Sequence, residues 1–188
     1  MKKILCLILA LALLMAFPSA WAEEAETHVI CWEDVRLEKN GTEPEGAFVS
    51  LGQGLPLQVF IPAGFADANA DGTNITPELC LSLIQADVRL NVKLYHFQNP
   101  PVPCSADTVA DYRAKGLYSD LEEINGIPAL SYFFEETEET GETWSNEYIY
   151  YYLEDGSCLL ELRYYPSEDA TRIPYTLDYL RYSVSMIN

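Results

Sequence analysis

The chain has 188 residues and carries 11 lysines and arginines against 29 aspartates and glutamates, a net charge of −18. This acidic excess disfavours binding to nucleic acid and to anionic membrane surfaces, because both depend on lysines and arginines. The length suits a single domain, and 49% hydrophobic residues are enough for one core.

The N-terminus has the pattern of a secretory signal peptide. Two lysines precede an apolar run over residues 4–17, and Ala20 and Ala22 have the spacing that signal peptidase recognises. A membrane anchor is the alternative, but the run is shorter than the roughly 20 residues that a bilayer needs. We therefore predict a signal peptide over 1–22 and one secreted α+β domain over 23–188. That domain keeps nine basic and 29 acidic residues, a net charge of −20.

Four cysteines follow the predicted cleavage point: Cys31, Cys80, Cys104 and Cys158. An even number in an exported chain favours two disulfides, and the spacing leaves all three pairings open. Four buried thiols are the alternative. The chain has no Cys-x-x-Cys, so a zinc site is disfavoured.

The first half of the domain is predicted to consist mainly of strands. Hydrophobic and polar residues alternate most regularly over residues 88–95, which is typical of a half-buried strand. Residues 79–84 also alternate, although Thr76-Pro77-Glu78 could instead cap a helix there. The predicted strands are 29–37, 48–51, 57–61, 79–84 and 88–95.

A helix and an antiparallel meander are predicted next. Ser105 can cap a helix over 105–115, and Gly116 follows its end. The meander has strands over 127–134, 144–153 and 158–165. Asn125-Gly126 and Asp155-Gly156 are typical of type I′ hairpin turns. The acidic segment 135–142 is predicted to be a solvated hairpin tip.

The last element is predicted to be an amphipathic helix over residues 173–186, with Pro174 in its first turn. The fold class is therefore α+β, an antiparallel sheet flanked by two helices. The predicted core contains Leu90, Val92, Leu130, Tyr132, Leu160, Leu162, Leu177 and Leu180.

This order of elements resembles the PsbP-like α/β/α sandwich, as found in small secreted proteins of gut Firmicutes. The resemblance is carried by the strand end at 60–65, a hairpin, a helix beginning near Thr108, the turns at 124–128 and 155–156, and a terminal helix. Members of that family include a photosystem extrinsic subunit and a nuclear import factor that binds a small GTPase. The resemblance implies a binding or assembly protein without catalytic residues. It transfers no functional residue to this chain.

Residues 67–78 are a candidate calcium-binding loop. Its sequence has the Asp-x-Asn-x-Asp-Gly pattern with a glutamate at position 12, as in EF-hand and dockerin loops. It departs from those loops at position 8, which is Asn74, and it has no incoming helix. An Asx-rich turn is the alternative. The candidate ligands are Asp67, Asn69, Asp71, Thr73 and Glu78, and calcium is the only cofactor predicted.

Aromatic residues crowd three predicted strands of the meander. Such residues beside carboxylates can bind glycans, but they also fill sheets that helices cover. We favour the core interpretation for most of them. The set is Tyr132, Phe133, Phe134, Tyr148, Tyr150, Tyr151, Tyr152, Tyr164 and Tyr165.

No complete catalytic motif is present in the sequence. His28 and His96 are the only histidines, and serine hydrolase, zinc protease and phosphate-loop motifs are missing. We therefore predict a secreted, non-catalytic binding or assembly domain whose partner is an extracellular protein or a small ligand. The alternative is a secreted hydrolase that acts on glycans or peptides through carboxylates.

Overall fold

The computed structural model describes residues 27–38, 44–51, 55–68, 77–85, 88–165 and 174–187. Eleven strands and three helices lie in these ranges. In chain order they are β1 (His28–Ile30), α1 (Trp32–Glu38), β2 (Gly46–Ser50), β3 (Leu57–Pro62), β4 (Ala66–Asp67), β5 (Leu79–Gln85), β6 (Val88–Phe97), α2 (Ala106–Ala114), β7 (Tyr118–Ile124), β8 (Ile127–Thr137), β9 (Thr143–Leu153), β10 (Gly156–Tyr165), α3 (Pro174–Tyr182) and β11 (Ser185–Met186).

Eight of the strands form one main sheet. Its order is β1-β7-β8-β9-β10-β6-β5-β4. Only β1 runs parallel to its neighbour, and the other pairs in this sheet are antiparallel. A second, small antiparallel sheet has the order β11-β3-β2.

The two faces of the main sheet are covered differently. The small sheet and α3 pack on one face, here called the inner face, and this contact forms the main core. On the opposite face, α2 packs through Val109 against Leu130, Tyr150 and Leu159. The predicted α+β class, with a sheet flanked by helices on both faces, is thus confirmed, with a second sheet and a third helix added.

The predicted core is largely confirmed. Tyr132 is half-buried on the α2 face. The other seven are buried: Leu90, Val92, Leu130, Leu160, Leu162, Leu177 and Leu180.

Several local predictions are also confirmed. The alternating segment from residue 88 is β6, and residues 79–84 lie in β5, so the alternative helix there is wrong. Ser105 caps α2, because its hydroxyl oxygen accepts from the Thr108 N–H at 3.2 Å. None of the three helices within the described ranges is long and apolar enough to cross a membrane.

The strand predicted over residues 29–37 is wrong. Only β1 is extended, and the chain then turns into α1, where the Cys31 carbonyl accepts from the N–H groups of Asp34 and Val35. Trp32 and Val35 lie one helical turn apart and both pack in a cluster with Phe60. Because residues three apart lie on the same side of a helix, the helical conformation lets both side chains pack in the cluster with Phe60, and a strand does not form.

The last helix is shorter than predicted. It ends at Tyr182, and β11 follows instead of a further helical turn. The Ser183 hydroxyl accepts from the Phe60 N–H at 2.8 Å. Backbone pairing of Met186 with Leu57 then adds the C-terminal segment to the small sheet.

The two predicted disulfides are wrong, since none of the four cysteines is bridged. Cys158 is buried on β10, and Cys80 lies on β5, with β6 between these strands. Two strand spacings amount to about 9.6 Å, beyond the Cα separation that a disulfide spans. Cys31 and Cys104 lie outside the strands and are exposed.

Candidate functional site

The main sheet has two contrasting ends. The turn end carries the β7–β8 turn at 125–126 and the β9–β10 turn at 154–155. The tip end carries the β8–β9 hairpin tip at 138–142. An open groove with a volume of about 1310 Å³ lies at the turn end. Its lining residues are Leu55, Pro56, His96, Gln98, Pro100, Gly126, Ile127, Pro128, Tyr152, Leu153, Glu154, Asp155, Gly156 and Met186.

One wall of the groove is the β7–β8 turn, which Asn125 holds in place. Asn125 has a φ of 52° and Gly126 a φ of 78°, as the predicted type I′ turn requires. The Asn125 side chain also accepts from the Trp32 N–H at 2.7 Å. It donates to the carbonyls of Tyr182 and Val184, both at 2.8 Å. This one side chain therefore ties the turn to α1, α3 and the segment that leads into β11.

A second wall is the β9–β10 turn. The sequence predicted Asp155-Gly156 as its central residues, but Leu153 pairs with Gly156, so the loop is Glu154-Asp155. Gly156 has a different role. Its backbone lies so close to the Phe97 carbonyl that an added Cβ would be far inside van der Waals contact. Its φ of 140° also favours glycine.

The groove combines apolar side chains with two carboxylates. Pro128 and Met186 are exposed at its edge, whereas Leu55 and Ile127 are buried. The Tyr152 hydroxyl donates to the Val102 carbonyl at 3.0 Å. Burial raises the pKa of Tyr152, so this hydroxyl stays protonated and keeps donating at neutral pH. Its phenolic oxygen is therefore not a base for chemistry in the groove.

The groove's charged side chains are all acidic. Glu154 and Asp155 are exposed on the β9–β10 turn, and the lining contains neither lysine nor arginine. His96, on β6, is half-buried. Within the described ranges, no ion pair involves either carboxylate. This end of the sheet thus presents uncompensated negative charge beside apolar surface.

The tip end has the opposite arrangement. Glu142 pairs with Arg89, and Glu138 pairs with Arg163. Both guanidinium groups also lie over the ring of Trp144, at 4.9 and 4.8 Å from its centroid. The acidic tip is therefore not simply solvated as predicted, because two of its carboxylates are neutralised by arginines that pack on an indole.

The aromatic set divides between the two faces of the sheet. Tyr151 and Tyr164 are buried on the inner face. On the α2 face, the rings of Tyr132 and Tyr148 stack with centroids 5.0 Å apart and 5° between their planes. Phe134 stacks on Tyr148 in the same way, at 5.9 Å and 6°. A sugar needs a free ring face, and these rings cover one another, so a glycan platform is disfavoured.

Two carboxyl groups with raised pKa values lie away from the groove. Burial raises the pKa of Glu147, although the Arg181 guanidinium that pairs with it acts in the opposite direction. Burial also raises the pKa of Glu122, against a hydrogen bond from Ser131. Glu147 lies against α3 in an ion pair that also involves Asp178. Glu147 is thus placed to hold α3 on the sheet, and Glu122 is held by Ser131 of β8, so neither group lines the groove.

The predicted calcium ligands are described only in part. Asp67 lies in β4 opposite Leu81, and Glu78 donates its N–H to the Leu94 carbonyl at 2.7 Å. Both residues are exposed. Asn69, Asp71 and Thr73 lie outside the described residues. Among the residues that are described, no three acidic, histidine or cysteine side chains group as a metal site.

Sequence reasoning did not find the groove. Its lining comes from segments between residues 55 and 186, which are adjacent only after folding. The one local indication was the pair of turns at Asn125-Gly126 and Asp155-Gly156. Two hairpin turns separated by one hairpin must lie at the same end of a meander.

No protein-family model matches the chain, and no curated protein matches its sequence. Among solved structures, cyanobacterial PsbP from Synechocystis sp. PCC 6803 is similar, with a TM-score of 0.53 at 8% identity over 78% of this chain and 95% of that one. At such identity the likeness shows the fold alone, which is PsbP-like. The relation to proteins of gut Firmicutes stays a prediction.

Two further structures are less similar. LpqN of Mycobacterium tuberculosis, described as involved in cell envelope biogenesis, has a TM-score of 0.48 at 9% identity, covering 85% of this chain and 98% of that one. The Ran-binding protein Mog1p of Saccharomyces cerevisiae has a TM-score of 0.43 at 11% identity, covering 78% and 97%. At these TM-scores neither likeness adds to the fold assignment.

Proposed function

We propose that this chain is a non-catalytic binding or assembly domain that acts outside the cell and holds a segment of a partner protein in the turn-end groove. The observation that carries the proposal is the groove itself, which is open, partly apolar and held by contacts within the fold. The PsbP-like resemblance favours the same class of function, by association with the fold rather than by mechanism.

The size of the groove favours a polypeptide segment over a small molecule. Small-molecule sites are usually enclosed clefts of roughly 300–1,000 Å³. This groove is larger, at about 1310 Å³, and its edge exposes Pro128 and Met186. Exposed apolar side chains along an open edge are suited to a chain that extends across them.

The walls of the groove are organised before any partner arrives. Asn125 makes three side-chain hydrogen bonds that fix one turn. Gly156 lies against β6 and fixes the other. A preorganised site loses less conformational entropy on binding, so even a modest contact area can hold a segment.

The hydrolase alternative has less support in the described residues. Its acid and base would be a pair of carboxyl groups in the groove, but the two carboxyl groups with raised pKa lie elsewhere, on Glu122 and Glu147. Glu147 is 8% exposed and paired with Arg181. A carboxylate engaged in this way is better suited to holding α3 than to proton transfer.

A random-peptide library displayed on phage tests the proposal. The full chain is immobilised and selected peptides are compared on two variants, Met186→Asp in the groove and Ile84→Asp on exposed surface of β5. Both variants add one charge at an exposed apolar position. We expect selected peptides to lose at least tenfold in affinity on Met186→Asp and to keep it on Ile84→Asp. Equal binding to both variants, or selection of no peptide, overturns the proposal.

Export is part of the proposal and has a separate test. The signal peptide predicted over 1–22 lies outside the described residues, so the structure does not bear on it. Mass spectrometry of the chain recovered from the culture medium should give an N-terminus at Glu23. A chain that stays inside the producing cell with residues 1–22 attached contradicts the extracellular assignment.

A further inference from the structure

The acidic side of the groove points to the chemistry of its partner. Glu154 and Asp155 are exposed on the β9–β10 turn, next to the apolar residues Leu153 and Tyr152. The lining contains no other acidic residue and no lysine or arginine. A bound segment would therefore meet two carboxylates at one place and apolar or proline side chains elsewhere.

The arginines of the described chain already have carboxylate partners outside the groove. Arg36, Arg89, Arg113, Arg163 and Arg181 each pair with a carboxylate. The described arginines are thus engaged elsewhere, and none reaches the groove. In the part of the chain that the structure describes, no lysine or arginine lines the groove, which leaves Glu154 and Asp155 available to a cation of another molecule.

We propose that the segment held in the groove carries a lysine or arginine that pairs with Glu154 and Asp155, flanked by apolar residues that contact Pro128 and Met186. This inference rests on the proposed function, because it names the partner of the same groove. The occupant is an extended segment of a cationic protein.

Charge complementarity supports this partner over the alternatives. The whole chain has a net charge of −18, so an acidic protein or a second copy of this chain is repelled. A basic protein is attracted from a distance, and its approach is faster at low ionic strength. At the groove, arginine can pair with a carboxylate through two parallel hydrogen bonds, which adds orientation to the attraction.

The rigid walls make the position of the cation specific. The loop residues Glu154 and Asp155 are set by the pairing of Leu153 with Gly156. Gly156 in turn is fixed against Phe97. The backbone that carries the two carboxylates is therefore held in place beside the groove.

The experiment uses peptides from the phage selection and a charge-reversed variant. In Glu154→Lys/Asp155→Lys the two carboxylates become ammonium groups. The matched control, Glu135→Lys/Glu139→Lys, makes the same charge change at two exposed positions beside the tip end. Each variant is titrated at 50 mM and 500 mM salt with a selected peptide and with the same peptide carrying glutamate for its lysine or arginine.

We expect the selected peptides to be enriched in lysine or arginine. The groove variant should bind them at least tenfold more weakly at 50 mM salt and should regain affinity with the glutamate peptide. The control variant should change affinity less than threefold, since its charges lie far from the groove. The difference between the variants should shrink at 500 mM salt, because exposed charges are screened.

The experiment distinguishes failure of the cationic-partner inference from failure of the proposed function. If the peptides bind in a manner that depends on Met186 but not on Glu154 and Asp155, the cationic partner is wrong and the groove remains a binding site. If the two charge-reversed variants lose affinity equally, the attraction comes from the net charge and this inference is also wrong. If Met186→Asp changes nothing, the proposed function fails first.

Discussion

The two ends of the main sheet differ in whether their carboxylates are paired with arginines. At the tip end, Glu138 and Glu142 each have an arginine, and the two arginines pack on Trp144. At the turn end, Glu154 and Asp155 have no basic partner in the described ranges and lie beside an apolar groove. The tip end thus pairs two of its carboxylates with arginines, whereas neither carboxylate of the groove has an ion pair among the described residues. Because acidic residues are abundant in this chain, the positions of the arginines show better than the positions of the acids where negative charge stays unpaired.

The ends also differ in how closely their backbones pack. Gly156 at the turn end is buried against β6, and an added Cβ would collide with the Phe97 carbonyl. Gly141 at the tip end has a φ of 83° but no atom within 4 Å of such a Cβ. Tight packing thus accompanies the groove, whereas the tip is open to solvent. The following predictions test whether these differences hold.

The largest effect is expected at Gly156. Gly156→Ala combines an unfavourable φ with a backbone collision, and we expect it to lower the free energy of unfolding by about 3 kcal/mol or more. Gly141→Ala should cost only about 1 kcal/mol, from the φ alone. Urea unfolding of both variants measures the difference. Equal losses would show that the turn end is no more tightly packed than the tip.

The next effect concerns the Asn125 side chain. In Asn125→Asp a carboxylate oxygen would face the carbonyls of Tyr182 and Val184 in place of two N–H donors, and we expect a loss of about 2–3 kcal/mol. Asn125→Gly keeps the turn conformation and removes only the side-chain bonds, so it should cost less. Thermal unfolding at pH 7 measures both. An Asp variant as stable as the parent would mean that Asn125 does not tie α3 to the turn.

A smaller effect is expected from the exposed charges. Arg163→Gln at the tip end should cost about 0.5–1 kcal/mol, the usual value of an exposed ion pair with an aromatic contact. Glu154→Gln at the turn end should cost nothing or slightly stabilise the fold, because it removes an unpaired negative charge. A loss on Glu154→Gln as large as that on Arg163→Gln would indicate a basic partner within the chain and contradict the comparison.

The smallest effect belongs to the predicted calcium loop. Calcium at a concentration equal to a millimolar Kd would stabilise the fold by roughly 0.4 kcal/mol. Asp67→Ala and Glu78→Gln should abolish that gain in thermal unfolding, and chelator should reverse it. Magnesium at equal ionic strength controls for screening of the net charge. If both ions raise the melting temperature equally, or if the variants respond like the parent, the loop is not a calcium site.

Much of the fold could be predicted from local patterns. The alternation over β6, the Ser105 cap and the Asn125-Gly126 turn depend on neighbouring residues, and all three are confirmed. The segment 29–37 could not be assigned in this way. Its helix is favoured by Trp32 packing on Phe60 and Tyr179, with ring centroids 5.3 and 5.6 Å apart. Such contacts link residues that are distant in sequence.

The groove could not be predicted from neighbouring residues either, because its contacts also link residues that are distant in sequence. The sequence marks Asn125 as a turn residue, but its side chain joins the turn to α1, to α3 and to Val184 just before β11, which are more than 50 residues away in the chain. Gly156 was assigned to a turn, whereas it is needed where β10 passes close to the end of β6. In both cases the residue type indicates a turn, whereas its role depends on a contact with residues that are distant in sequence.

On the proposed function, the turn end, and not the tip end, receives a partner. Hydrogen–deuterium exchange of the full chain, with and without a selected peptide at saturation, tests it most directly. We expect slower exchange of the backbone amides at 126–127 and 153–156, with no change over 138–142. Protection centred on the hairpin tip, with the two turns unchanged, would contradict it.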